Sequence, residues 1–286
     1  MSDVPAGVSG PVLETVEVFS VQRAGDLVTL TVIAPQLAAQ ARPGQFVAVR
    51  VGGQSSAQIT RLPVFVASAT PGDAHAGTAT LVVDPRGPAT RWLAGRTSGD
   101  RLNLLGPLGS GFPVPAGTAP AVLVGHGYGG GPLAWLAQEL VGRGCPVEVV
   151  LGAPTATGLY GEQAAKRLVD RVTVLTDDGS AGRAGSAADA LADAIVRLDA
   201  QVVYACGPPA LLRRVGDLAG QHAIRAQVAL EAPMACGTGV CLSCLVPVRG
   251  SGGPSPRLVR ACVEGPVVEA DHVVWDELGA VPAGRS

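Results

Sequence analysis

Aromatic and charged residues are scarce in this sequence of 286 residues: aromatics make up 3% and charged residues 15%, against 47% hydrophobic residues. So apolar a composition excludes a largely disordered chain. Lys and Arg (21 residues) do not outnumber Asp and Glu (23 residues), so the basic surplus typical of nucleic-acid binding is missing. Uninterrupted apolar runs are only a few residues long, whereas a membrane span needs about 20. We therefore expect a folded protein that neither spans a membrane nor binds nucleic acid.

The first ten residues are neutral to acidic and no apolar stretch follows them, unlike a secretory signal peptide. We therefore expect a cytoplasmic protein, in which cysteines rarely form disulfides. The length predicts two domains, or two and a small module. The 39 glycines and 23 prolines indicate short strands joined by many turns.

Four of the six cysteines lie close together near the C-terminus, with the spacing Cys-x4-Cys-x2-Cys-x17-Cys. This is the spacing of plant-type 2Fe–2S ligation. Gly237 and Gly239 remove side chains from the x4 segment, so that backbone N–H groups can reach the sulfurs. A four-cysteine zinc site usually has two short-spaced pairs, and here the fourth cysteine stands alone. The predicted cluster ligands are Cys236, Cys241, Cys244 and Cys262, with structural zinc or buried apolar thiols as alternatives.

The first part of the chain is predicted to be an antiparallel barrel or sandwich, because short alternating segments are separated by Gly/Pro turns. The predicted strands are 16–21, 27–32, 45–51, 80–83 and 101–105, with a short helix at 90–94. From about residue 118 continuous apolar strands alternate with helical patterns, which predicts a doubly wound parallel sheet. These strands are 121–124, 147–151, 172–175 and 201–205, with helices at 133–143 and 187–198.

A glycine-rich turn follows the first strand of this sheet, where a backbone without side chains can approach a dinucleotide's phosphates. Its candidate binding residues are Gly125, Gly127, Gly129 and Gly130, followed by Gly131 and Pro132. The alternative is a tight strand–helix turn with no ligand. Cys206 ends the fourth strand, at the edge where such sheets bind ligands, and is a candidate catalytic residue beside a reactive ring. The alternative is a small buried thiol.

Several motifs together resemble the ferredoxin–NADP reductase superfamily and, more narrowly, the electron-transfer subunits of dihydroorotate dehydrogenase B. The most specific are Glu231-x-x-Met234-x-Cys236-Gly237-x-Gly239-x-Cys241-x-x-Cys244 and Arg260-Ala261-Cys262-Val263-Glu264-Gly265-Pro266-Val267. Further matches are the segments 105–112, 43–46, 125–132, 176–179 and 206–208. The resemblance covers about residues 12–270.

The resemblance implies three parts: a barrel flavin-binding domain at 12–116, a Rossmann-like nicotinamide-dinucleotide domain at 117–224 and a 2Fe–2S domain at 225–286. It implies the cofactors 2Fe–2S, FAD and NAD, and an FMN-containing catalytic partner in a heterotetramer. Electrons from dihydroorotate oxidation on that partner would pass through the cluster and FAD to NAD+, in pyrimidine biosynthesis. No cluster of arginines for a 2′-phosphate follows the strand at 147–151, which favours NAD over NADP.

The flavin motif departs from the superfamily, which places an Arg and a Ser on one barrel strand. Aligned on Pro63, these positions hold Leu62 and Phe65, and Arg61 lies one residue early, where strand alternation turns it to the other face. A Gly-x-Gly-Thr element at a helix start has become Gly-Pro-Ala-Thr. The candidate flavin residues are Arg61, Leu62, Pro63, Val64, Gly87, Ala89 and Thr90.

Two other functions remain open at this point. The chain could be the NAD(P)H-linked reductase subunit of another complex, such as a sulfide-linked, ferredoxin-linked or hydrogenase system. Alternatively, the altered flavin motif could indicate a non-catalytic adaptor that holds a structural metal.

Overall fold

The computed structural model describes residues 10–53, 56, 58–72, 77–249 and 256–278. Its strands are β1 (Val12–Ala24), β2 (Leu27–Ile33), β3 (Phe46–Val49), β4 (Leu62–Thr70), β5 (Thr78–Val83), β6 (Arg101–Leu108), β7 (Ala121–His126), β8 (Val147–Ala153), β9 (Val172–Thr176), β10 (Arg183–Ala184), β11 (Val202–Cys206), β12 (Arg225–Ala229), β13 (Leu245–Val248), β14 (Arg257–Arg260) and β15 (Val267–Glu269). Its α-helices are α1 (Pro35–Gln40), α2 (Pro88–Ala94), α3 (Gly130–Gly142), α4 (Glu162–Leu168), α5 (Leu191–Leu198) and α6 (Pro209–Gln221). Among the described helices, none combines the length and apolar character needed to cross a membrane.

Six strands close into an antiparallel barrel in the order β1-β2-β5-β4-β3-β6. Alternate residues of each strand face inward, so Val16, Val18, Leu30, Val32 and Leu81 are buried in its core. The barrel confirms the first of the two predicted all-β architectures. Strand β1 is longer than the predicted 16–21, because its first half pairs with β6 and its second half with β2.

The second sheet has seven strands in the order β10-β9-β8-β7-β11-β12-β15. The strands β7 to β12 of this sheet run parallel, and β15 pairs antiparallel with β12. The predicted parallel sheet is therefore confirmed, and β10, β12 and β15 extend it beyond the four expected strands. Strands β12 and β15 come from the range 225–286, so this sheet and the cysteine segment are joined through the backbone.

Between β12 and β15 the chain forms the cysteine loop and a two-stranded hairpin, β13 and β14. A bridge joins Ser110, just after the barrel, to Pro266, just before β15. The Ser110 N–H also donates to the Gly265 carbonyl at 2.6 Å. These bonds fix the cysteine segment against the end of the barrel.

Candidate functional site

The β13–β14 hairpin explains the long gap before the fourth cysteine. Leu245 pairs with Arg260, and the Ala261 N–H donates to the Cys244 carbonyl at 3.0 Å. This register brings the chain back beside Cys244, so that the sulfurs of Cys244 and Cys262 lie 3.3 Å apart. The two thiols lie side by side although 18 positions separate them.

Backbone N–H groups of the cysteine loop point at the sulfurs. Gly239 donates to Cys262 Sγ at 3.1 Å, and Thr238 donates to Cys236 Sγ at 3.4 Å. Gly239 has a φ of +80°, and a Cβ there would lie 2.7 Å from the Val263 side chain. Only glycine therefore gives the loop this conformation, as the sequence spacing suggested for the x4 segment.

The loop's donors favour the negatively charged thiolate. Burial acts to raise the pKa of Cys236, but N–H groups of Cys241 and Thr238 outweigh it and lower that pKa to about 6. Burial and the neighbouring Cys244 thiol raise the pKa of Cys262 to about 12, with the Gly239 N–H opposing. A cation bound between Cys244 and Cys262 would offset the repulsion between two neighbouring thiolates, so that both cysteines could bind it in that form.

The cysteines of the loop fall into two neighbouring pairs. Cys244 and Cys262 form one pair, and Cys236 with Cys241 the other. A 2Fe–2S cluster divides its four thiolates between two irons in this way. In the described part of the chain, no group of three or more His, Cys, Asp or Glu side chains is arranged to hold a metal ion. Cys241 is exposed, so the loop lies at the protein surface.

A cavity of about 560 Å³ opens between the barrel and the parallel sheet. It brings together six of the seven candidate flavin residues: Leu62, Pro63, Val64, Gly87, Ala89 and Thr90. Its lining is mainly apolar, as suits a flat aromatic ring system. The Thr90 hydroxyl accepts from the Gly87 N–H at 2.9 Å and donates to the Gly87 carbonyl at 3.0 Å, which fixes the start of α2.

Arg61 is the seventh candidate, and the structure does not bring it to this cavity. Its guanidinium donates to the carbonyls of Ala48 and Asn103, each at 3.2 Å. Burial, together with the charge of Arg50, lowers its pKa. The side chain, which lies just before β4, thus ties this segment to β3 and β6.

Sequence reasoning missed several residues that line the cavity: Gln58, Asp84, Arg86 and Tyr128. Phe65, noted only as a departure from the flavin motif, lines it too, as do Glu231 and Met234 of the cysteine motif. Burial, and then the carboxyl of Glu231, raise the pKa of Tyr128. Burial also raises the pKa of Glu231, with the Tyr128 hydrogen bond and the Arg86 charge opposing.

The cavity and the cysteine loop are neighbours in the chain and in space. Met234 lines the cavity, and Cys236 follows two residues later. A Cβ at Gly237 would lie 3.8 Å from the ring of Phe46, which itself lines the cavity. One aromatic side chain therefore lies between the two sites, a short path for an electron.

The glycine-rich turn contains two kinds of glycine. A Cβ at Gly129 would lie 2.5 Å from the Cys206 carbonyl, and one at Gly130 would lie 2.3 Å from the Tyr160 carbonyl. These glycines allow close packing. Gly127 has a φ of +56°, and a Cβ there would find its nearest neighbour at 3.8 Å, so this residue presents open backbone as a bound phosphate requires.

Cys206 ends β11 as expected, but its side chain is fully buried. Burial, with a smaller contribution from the carboxyl of Glu231, raises its pKa well above the usual range of a thiol. Its sulfur lies against Gly129, where a Cβ would be 3.1 Å away. In this arrangement Cys206 supports the glycine turn rather than facing solvent.

Comparison with known proteins places these features in a family. Residues 231–274 match the model of the iron–sulfur cluster binding domain of dihydroorotate dehydrogenase B. The chain is 33% identical to the dihydroorotate dehydrogenase B (NAD(+)) electron transfer subunit of Desulforamulus reducens, over 85% of this chain and 90% of that protein. The Geobacillus kaustophilus subunit is 36% identical over 82% of this chain and 87% of its own length. The chain belongs to this family.

A solved structure agrees with the family's fold. A chain of the NADH-dependent reduced ferredoxin-NADP oxidoreductase, an enzyme of flavin-based electron bifurcation, superposes with a TM-score of 0.80 at 30% identity. The match covers 96% of this chain and 94% of the other. Phthalate dioxygenase reductase shares the fold at 15% identity and a TM-score of 0.58.

Proposed function

We propose that this chain is the electron-transfer subunit of a dihydroorotate dehydrogenase that reduces NAD+ in pyrimidine biosynthesis. Family membership supports the electron-transfer role and the oxidoreductase class. The observation that carries the proposal is the adjacency of the cavity and the cysteine loop across Phe46. When bound, a 2Fe–2S cluster handles single electrons, and FAD exchanges them for the hydride of a nicotinamide.

The residues of this chain divide the binding tasks. Cys236, Cys241, Cys244 and Cys262 would hold the cluster, with N–H groups of the loop stabilising the thiolate charge. The cavity between α2 and Glu231 would hold FAD, and the open backbone at Gly127 would receive the phosphates of NAD. Cys206 would help to shape this turn. We retain 12–116, 117–224 and 225–286 as the three functional parts.

The partner would be a catalytic subunit that carries FMN and oxidises dihydroorotate, in a heterotetramer with two copies of each chain. The names of the relatives support such a partner, since they describe a subunit. The exposed Cys241 puts the cluster end of the chain at the surface, where electrons can be received. We propose the cytoplasm as its location, because free thiols persist in a reducing compartment.

Purification without oxygen tests the cofactor content. We expect iron and acid-labile sulfide in equal amounts, together with FAD, and no zinc. After mixing with the catalytic subunit, dihydroorotate should reduce NAD+. Zinc without sulfide, or a complex that leaves NAD+ unreduced, would contradict the proposal.

A ferredoxin-linked reductase is the second candidate, favoured by the 30% identity to the ferredoxin-NADP oxidoreductase chain. The same assay separates the two candidates if reduced ferredoxin and dihydroorotate with its catalytic subunit are supplied in turn as donors. Reduction of NAD+ by ferredoxin alone would select the second candidate.

A further inference from the structure

The cavity assigned to FAD has an unusual charge balance. Among the described residues, three charged side chains line it: Asp84, Glu231 and Arg86. FAD carries two anionic phosphates, and two carboxylates in the same cavity repel them. A cation at this site would offset that repulsion, and among the described lining residues Arg86 is the one that supplies it.

The barrel strand next to the cavity provides no other cation. Leu62 is apolar and faces the cavity, while the guanidinium of Arg61 donates to carbonyls of β3 and β6. The side chains of β4 thus leave the phosphates without a partner. Arg86 lies on another segment, directly before α2.

Neighbouring groups hold Arg86 in place. Its Nε lies 2.7 Å from Asp84 Oδ2, and the Asp84 side chain is 14% exposed, so it is a well-buried anchor. Nη1 of Arg91 donates to the Arg86 carbonyl at 2.6 Å and fixes the backbone. The Arg86 side chain is itself 76% exposed, which leaves its terminal nitrogens accessible to a ligand.

The charge of Arg86 reaches groups of the parallel sheet across the cavity. Burial raises the pKa of Glu231, which follows β12, and Arg86 is one of the groups that oppose this rise. Burial lowers the pKa of His126 at the end of β7; Asp177 opposes this shift, and Arg86 adds to it. The guanidinium, although it lies just before α2, is therefore within electrostatic range of the ends of two sheet strands.

We propose that Arg86, held by Asp84, binds the pyrophosphate of FAD in this chain. This inference rests on the proposed function, because it requires FAD in the cavity. A guanidinium suits the task, since its planar donors bind two phosphate oxygens at once. Asp84 is then a positioning residue that directs the guanidinium.

The test is equilibrium binding of flavins to the full chain after removal of its flavin, with the cluster retained. Arg86→Gln should raise the Kd of FAD roughly 10- to 100-fold, the range of one charge-assisted hydrogen bond. The Kd of riboflavin, which has no phosphate, should stay unchanged. Arg86→Lys should recover part of the FAD affinity. Arg101→Gln, an exposed barrel arginine outside the cavity lining, is the matched control.

Salt gives a second measurement. Added salt should weaken FAD binding to the unmodified chain more than to Arg86→Gln, because the variant lacks the charge that salt screens. An unchanged FAD affinity in Arg86→Gln would overturn the inference, and so would an equal loss for riboflavin and FAD. A rise in the Kd of NADH without a change for FAD would assign the charge to the other nucleotide and overturn it too. If the unmodified chain binds no FAD, the proposed function fails. If the unmodified chain binds FAD and Arg86→Gln binds it equally well, only the inference about Arg86 fails.

Discussion

Gly129 and Gly127 provide a matched pair for testing how the glycine-rich turn works. Gly129 has a φ of −61° and a ψ of −16°, a conformation that alanine adopts without strain. A Cβ there would nevertheless lie 2.5 Å from the Cys206 carbonyl oxygen, which belongs to the backbone of β11 and cannot rotate away. Gly127 is the reverse case, because it has space for a Cβ but a φ of +56°.

The two substitutions should therefore differ in kind. Gly129→Ala forces β7 and α3 away from β11, and this overpacking should lower the free energy of unfolding by about 3 kcal/mol. Gly127→Ala should lower it by about 1 kcal/mol, because a residue with a side chain adopts the left-handed backbone conformation at a cost. At about 2–4 °C per kcal/mol, Gly129→Ala should melt roughly 6–12 °C below the unmodified chain, and Gly127→Ala roughly 2–4 °C below it.

Nucleotide affinity provides the second measurement. Gly127→Ala should raise the Kd of NADH, because its methyl group enters the open space of the turn. Gly129→Ala should bind NADH nearly normally at temperatures where it is folded. Calorimetry and NADH titration on both variants check this. If Gly129→Ala melted like the unmodified chain and lost NADH affinity, Gly129 would face the nucleotide and the packing explanation would be refuted.

Three further substitutions test other parts of the molecule. Cys262→Ala should abolish cluster iron and its absorbance while FAD stays bound; full iron content would exclude Cys262 as a ligand. Arg61→Met should lower the free energy of unfolding by about 1–3 kcal/mol, because barrel carbonyls lose their donor, and should leave the FAD content unchanged. Normal stability together with a loss of FAD would show that Arg61 binds the flavin. Arg197→Met should lower the free energy of unfolding, measured with denaturant, by about 1–2 kcal/mol, because the buried Glu148 (2% exposed) loses its ion-pair partner. An unchanged unfolding midpoint would show that Glu148 does not depend on Arg197 as a partner.

Local sequence carried the information about the cluster and the fold. Cys236, Cys241 and Cys244, with Gly237 and Gly239 between the first two, lie in one short loop that the local sequence describes, whereas Cys262 reaches it only through the β13–β14 hairpin. Strand alternation did not decide which residues face the cavity, because Leu62, Pro63, Val64 and Phe65 all line it while Arg61, just before β4, does not. Apolar runs predicted the central parallel strands, but β10, β12 and β15 were missed. Strand β10 has only two residues, β12 is interrupted by polar side chains, and β15 joins the sheet only after the cysteine hairpin returns.

Tertiary packing decided what the sequence could not predict. The cavity is assembled from segments far apart in the chain, so Arg86 and Tyr128 had no local signal of their own. Glu231 stood in a motif, but its position beside Tyr128 became clear only from the fold. Cys206 was placed correctly at a strand end, while its complete burial depends on how closely Gly129 packs against it.

The central claim is that this chain moves electrons between a nicotinamide, a flavin and a cluster. Anaerobic addition of NADH to the purified chain, followed by absorbance and electron paramagnetic resonance, tests it most directly. We predict that flavin absorbance is bleached and that the signal of a reduced 2Fe–2S cluster then appears, in the absence of any partner. Reduction of the cluster by dithionite but not by NADH would contradict the account.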